Sequence, residues 1–122
     1  MMGDLTTNFS RSEFMCPCGC RSAGVKSSLV GRLQAARDEA GIPFKISSGV
    51  RCREHNRQIG GVDSSAHVKG HAADIDNADT SQERFAILHA LLKAGFTRIG
   101  IAKTFIHVDD DPDKPAGVVW LY

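Results

Sequence analysis

Between Ser64 and Asp76 the chain reads SSAHVKGHAADID, which places two histidines, His67 and His71, and two aspartates, Asp74 and Asp76, among small Ser, Gly and Ala residues. About thirty residues later, Phe105 and Ile106 run into His107, Val108, Asp109 and Asp110. Imidazole nitrogen and carboxylate oxygen drawn from separate segments are the ligand set that suits zinc, and three such ligands leave a fourth position for water. The two clusters together point to a metal site.

Such side chains need elements to aim them. Ser27 or Ser28 is placed to cap a helix running to about Ala40, because Leu29, Val30, Leu33, Ala36 and Ala40 recur at helical spacing and Gly41 and Pro43 end it. Phe44 to Ser48 alternates as a short strand closed by Gly49. RCREHNRQI, from Arg51 to Ile59, is polar and helix-tolerant, and Gly60 and Gly61 then break the backbone. Ala72 to Ile75 predicts a second strand, with Asp74 on the face opposite Ala73 and Ile75. Thr80 or Ser81 caps a helix over about Gln82 to Ala94, with Glu83 giving capping-box character to Thr80 and with Phe85, Leu88, Leu91 and Leu92 as its buried stripe. Arg98 to Ala102 and Phe105 to Asp109 read as two strands around a turn at Lys103 and Thr104; DDDPDKP reads as a surface loop, and Val118 to Tyr122 as an edge strand. The polar segment before Phe14 orders where Phe9 and Phe14 dock, and Phe14, Phe44, Phe85, Phe96 and Phe105 are assigned to the core. The sum is one α+β domain over residues 1–122, a small antiparallel sheet with two main helices packed on it.

Composition narrows the function. The net charge of +1, from 15 basic and 14 acidic residues, leaves no whole-molecule field to draw nucleic acid, and a locally recognised substrate is expected of a monomer. No apolar run approaches a membrane span, and MMGDLTTNFSRSEF lacks the basic and apolar halves of a signal peptide. The chain is thus expected to be made in the cytoplasm, with another route to any target outside. Three of the four cysteines, Cys16, Cys18 and Cys20, sit in CPCGC, with Cys52 far along the chain. That spacing lacks the two-residue gap of the common zinc knuckle, so the cysteines read as free, partly buried thiols, with a structural metal or a disulfide to Cys52 as the alternative.

The stretch SGVRCREHNRQIGGVDSSAHVKGHAADI resembles the peptidase M15 family, zinc D-alanyl-D-alanine carboxypeptidases and peptidoglycan endopeptidases, whose signature runs roughly SGxR, then N, then GG, then SxHxxGxAxD, and later a strand carrying a third ligand as xH. The short phage and bacterial M15A-type domains also begin with a segment like NFSRSEFMCPCGC, and the likeness covers about residues 8 to 110. The resemblance implies a fold like that of the hedgehog domain and the D-Ala-D-Ala peptidases. It implies one zinc ion on His67, Asp74 and His107, with Arg51 as the arginine that binds a substrate carboxylate or polarises the scissile carbonyl. Ser65 matches the serine ahead of the first ligand, a substrate-facing or ligand-supporting group.

Zinc on three ligands brings the pKa of its water to about 7, and a nearby carboxylate would carry the proton to the leaving amine. Many members of the family place that acid three residues before the last histidine, where this chain has Thr104. Asp109, two residues beyond His107 and on the same strand face, is the nearest replacement, as general base or as an orienter of the ligand, with Asp110 and Asp76 behind it. His67 and His71 are four apart like an HExxH pair, but Val68 stands where glutamate would be and Gly70 disfavours a helix, so His71 is expected to line the cleft instead. His55 and His89 read as structural, Asp110 and Asp111 as solvated, and Trp120 and Tyr122 as cleft wall or edge packing.

The expected activity is a zinc peptidase cutting peptidoglycan stem peptides or cross-links, phage-associated, acting on the cell wall after release or as part of a virion. The alternative is a non-catalytic zinc-binding module of the same fold, used in wall binding or assembly, which Thr104 favours.

Overall fold

The computed structural model describes residues 3–18, 20 and 24–122. A 3-10 helix over Arg11–Phe14, not anticipated from the sequence, delivers Phe14 to the core, where its ring meets that of Phe9 at 5.9 Å. Helix α1 spans Ser27–Ala40 and buries Leu29, Val30, Leu33 and Ala36, the face its spacing predicts. Neither serine caps it. Lys26 is the residue before the helix, and Ser28 Oγ instead donates to Asp110 Oδ2 at 2.7 Å. Gly41 follows with φ of 69°, a left-handed turn open to glycine, and ends the helix.

Strand β1 is shorter than expected, Ile46–Ser48. Gly49 after it is a place of close approach: a Cβ there would stand 2.6 Å from Phe14 Cα, so only glycine lets the N-terminal segment lie against the loop beyond β1. Val50 N–H donates to Phe14 O at 2.8 Å along that contact. Helix α2 follows over Arg53–Gln58, then β2 over Ala72–Ile75.

Helix α3 spans Ser81–Lys93 behind the expected box, with Glu83 N donating to Thr80 Oγ1 and Thr80 N to Glu83 Oε1, both at 3.1 Å. Its stripe is rotated from the expected one. Ile87, Ala90 and Leu91 are buried, while Phe85 is 68% and Leu92 51% exposed. Positions two apart on a helix lie about 200° apart around its axis, so burying Ile87 turns Phe85 outward. There it stacks on His89, one turn on, with the rings 5.6 Å apart and 6° from parallel.

Strands β3 (Arg98–Ile101), β4 (Ile106–Asp109) and β5 (Val118–Leu121) complete a five-stranded sheet of order β1-β2-β4-β3-β5. All neighbours are antiparallel except β5, which runs parallel to β3 at the edge. The molecule is α+β. Alternation sends Ala73, Ile75, Ile99, Ile106 and Val108 into the core that α1 and α3 cover, and leaves the other face of β2 and β4 for polar side chains. Phe105 is only half-buried, against Tyr122 at 5.2 Å. The loop DDDPDKP is not wholly solvated either. Asp111 is buried and accepts from Lys69 Nζ at 3.0 Å. No helix among the described residues is long and apolar enough to cross a membrane.

Candidate metal centre

On the face of the sheet away from the core, register sets a row of residues side by side. Asp74 on β2 pairs with His107 on β4, His107 with Gly100 on β3, and Gly100 with Trp120 on β5. Gly100 carries no side chain, and a Cβ there would meet Trp120 Nε1 at 2.5 Å. The indole therefore leans across β3, its ring 5.5 Å from that of His107.

His67 reaches the same place from the loop before β2. Its Nδ1 lies 2.7 Å from the Gly49 carbonyl, which accepts a hydrogen bond from Nδ1–H and leaves Nε2 to face the sheet. His67 Nε2, Asp74 Oδ1 and His107 Nδ1 then form a triangle with sides of 3.0, 3.3 and 3.4 Å. Ligands about 2.0–2.1 Å from a tetrahedral zinc ion stand about 3.3 Å apart, so the three donors have the spacing and chemistry of a zinc site. Electron-rich atoms this close repel unless a proton or cation lies among them. Burial alone would raise the pKa of Asp74, but with protons on the two ring nitrogens that face it the hydrogen bonds from His107 and His67 outweigh burial and hold the carboxylate well below its ordinary range. Burial likewise disfavours the charged form of His107, while Asp109 and Asp74, one at each ring nitrogen, raise its pKa.

Asp109 sits directly behind that ring. Its Oδ2 lies 2.7 Å from His107 Nε2, its Oδ1 accepts from Arg98 Nε at 2.7 Å and from the Asp111 N–H at 3.2 Å, and the residue is 2% exposed. Burial pushes its pKa up, and His107 and Arg98 bring it net below the usual carboxylate value. Both oxygens are committed, so of the two roles expected for Asp109 the contacts fit the orienting one: the carboxylate fixes the tautomer and direction of a metal-binding histidine.

Arg51 N–H donates to the His67 carbonyl at 3.1 Å, its Nη1 donates to Asn56 Oδ1 at 3.2 Å, and its Nη2 lies 4.0 Å from Asp74 Oδ2. Buried Asn56 also donates to the Val62 carbonyl at 2.7 Å. The guanidinium is thereby held beside the three ligand candidates at the edge of a cleft of about 360 Å³. Ser65, His67, His107, Trp120 and Tyr122 share its lining with Arg51. Ser65 is nearly buried, its Oγ accepting from the His67 N–H at 3.2 Å.

Other candidates lie elsewhere. His71 is not in the cleft lining; its Nδ1 is 2.7 Å from Asp110 Oδ1, and that carboxylate also takes the Ser28 hydroxyl, tying the loop to α1. Asp110 is thus occupied by Ser28 and His71 and does not line the cleft. Asp76 faces Lys45 at 3.9 Å, and Thr104 is exposed in the turn between β3 and β4. His55 lies in α2, and His89 on α3 is stacked on Phe85. Two contributors escaped the sequence reasoning. Arg98 clamps Asp109 and lies over the Trp120 ring at 5.2 Å. Asn56 was visible only as the N of the SGxR–N–GG pattern, without a role.

A sequence model described as Peptidase M15 matches residues 7–109, a span that holds Arg51, Ser65 and all three ligand candidates. No curated protein matches the chain.

Proposed function

The chain belongs to the peptidase M15 family, and from that premise we propose that it is a zinc-dependent peptidase hydrolysing an amide bond in peptidoglycan stem peptides or cross-links. The observation that carries the reading is the triangle of His67 Nε2, Asp74 Oδ1 and His107 Nδ1, of which the two histidines line the cleft. When bound there, zinc supplies Lewis acidity, acidifying water and polarising an amide carbonyl.

The chain's own groups do the rest. Arg51, steadied by Asn56, presents paired donors to a substrate carboxylate or to the oxygen on which charge develops. Asp109 keeps the proton on His107 Nε2 and so keeps Nδ1 available as a donor. Trp120 and Tyr122 line the same cleft as Arg51 and limit how water and peptide enter. The substrate's setting suggests action on the cell wall, after release from the cell or as a virion component, by a monomer with no nucleic-acid partner.

One observation favours a second reading, a non-catalytic zinc module used in wall binding or assembly. Thr104 stands where many relatives carry the proton-shuttling acid, and among the described residues no carboxylate with an uncommitted oxygen lines the cleft. Purified protein incubated with cell walls separates the two. New free amines that appear with zinc and vanish with a chelator support the peptidase; zinc-loaded protein that binds walls and releases none refutes it.

A further inference from the structure

Cys16, Cys18, Cys20 and Cys52 meet where the segment after the 3-10 helix passes the loop beyond β1, and their four sulfurs lie within 4.8 Å of one another. Cys18 Sγ is 3.4 Å from Cys16 Sγ and 3.5 Å from Cys52 Sγ. Thiolates about 2.3 Å from a tetrahedral ion stand about 3.8 Å apart, a spacing that falls between the 3.4 Å separating Cys18 from Cys16 and the 4.8 Å within which all four sulfurs lie. A disulfide needs sulfurs about 2.05 Å apart and joins only two of the four. Backbone amides also point at two of the sulfurs: the Cys52 N–H donates to Cys16 Sγ at 3.5 Å and the His55 N–H to Cys52 Sγ at 3.4 Å. CPCGC lacks the two-residue gap of a zinc knuckle, and the fourth sulfur arrives from 34 residues beyond Cys18.

We propose that these four cysteines hold one structural zinc ion, separate from the His67, Asp74 and His107 centre, that staples the N-terminal segment to the loop bearing Arg51. Cys52 is the residue after Arg51, and Val50 is already bonded to Phe14, so the staple fixes the backbone from which the guanidinium reaches the cleft. The chain then carries two zinc ions, where the family resemblance alone implies one.

The full chain is compared with Cys18→Ser/Cys20→Ser and His67→Ala/His107→Ala double variants, by elemental analysis and after cobalt substitution. The unaltered protein should hold two zinc ions and each double variant one. Thiolate-to-cobalt charge-transfer absorption should persist in the histidine variant and vanish in the cysteine variant. Zinc content unmoved by the cysteine substitutions, or no sulfur-to-cobalt absorption in the histidine variant, overturns the proposal. If the cysteine variant does not fold, a thiol-directed mercurial added to the histidine variant decides. Release of one zinc per chain supports the site; release of none, or recovery of Cys18 in a disulfide on non-reducing peptide mapping, sinks it. The sulfur signal is independent of the histidine centre, so its absence would leave the peptidase reading intact.

Discussion

Replacing Asp109 with asparagine is expected to weaken zinc binding in the cleft by roughly 10- to 100-fold, about 1.4 to 2.7 kcal/mol. The carboxylate accepts from His107 on one oxygen and from Arg98 on the other, both at 2.7 Å, in a place 2% exposed to solvent. Asparagine has nearly the same shape but one acceptor oxygen. If the oxygen faces His107, the amide nitrogen faces Arg98 donor to donor; flipped, it faces the His107 Nε2–H instead. Either way a buried donor loses its partner, worth about 1–3 kcal/mol, and the charge that strengthens both bonds is gone. The loss should therefore fall towards the upper end of the range. Competition with a chromophoric chelator gives the dissociation constant of D109N, and hydrolysis of wall peptides at saturating zinc gives kcat. Unchanged affinity would refute the orienting role. Unchanged affinity with kcat abolished across the pH profile would instead make Asp109 the proton carrier.

Arg51→Lys keeps the charge but loses the paired planar donors, so kcat/KM on a wall peptide should drop about 100-fold; a change of less than about threefold would remove Arg51 from the proposed mechanism. Leu29→Ala, at a side chain fully buried under the sheet, should destabilise the fold by about 2–5 kcal/mol in urea titration. Asp111 is pushed up by burial but held net below the usual carboxylate range by the Asp113 N–H and by Lys69. Its folded pKa thus lies below its unfolded one, so its contribution is full above about pH 4 and fades as pH falls through the folded value. Asp111→Asn should accordingly lower the urea midpoint at pH 7 and converge with the parent protein in strong acid. Equal midpoints at pH 7 would show the ion pair to be idle.

What could be read in the sequence was local. The alternation Ala73, Asp74, Ile75 already put the ligand candidate Asp74 on the face away from the core, and the spacing of Leu29, Leu33 and Ala36 placed α1 within a residue or so. His107 as third ligand came from family resemblance, since nothing within its own strand distinguishes it from a packed histidine. Longer-range competition defeated the local rules elsewhere. Ser28 looks like a cap, but Asp110, 82 residues away, takes its hydroxyl. Arg98 meets Asp109 only because the β3–β4 turn sets that register, and no single-strand pattern encodes the length of a turn. Phe85 was assigned inward by its helical spacing with Leu88 and Leu92, whereas the buried face of α3, which packs on α1, carries Ile87, Ala90 and Leu91. The four cysteines converge through the contact of Phe14 with Gly49, which is absent from any linear motif.

The pairing of Asp74 with His107 across β2 and β4 also bears on how the chain finds its fold. A slip of one residue between these strands would send one of the two side chains to the opposite face and leave no triangle. An ion that binds only the aligned pair acts as a proofreader of strand alignment, stabilising the correct pairing and none of its neighbours. Amides of β2 and β4 should then exchange with solvent more slowly when zinc is present, and more so than those of the edge strands β1 and β5.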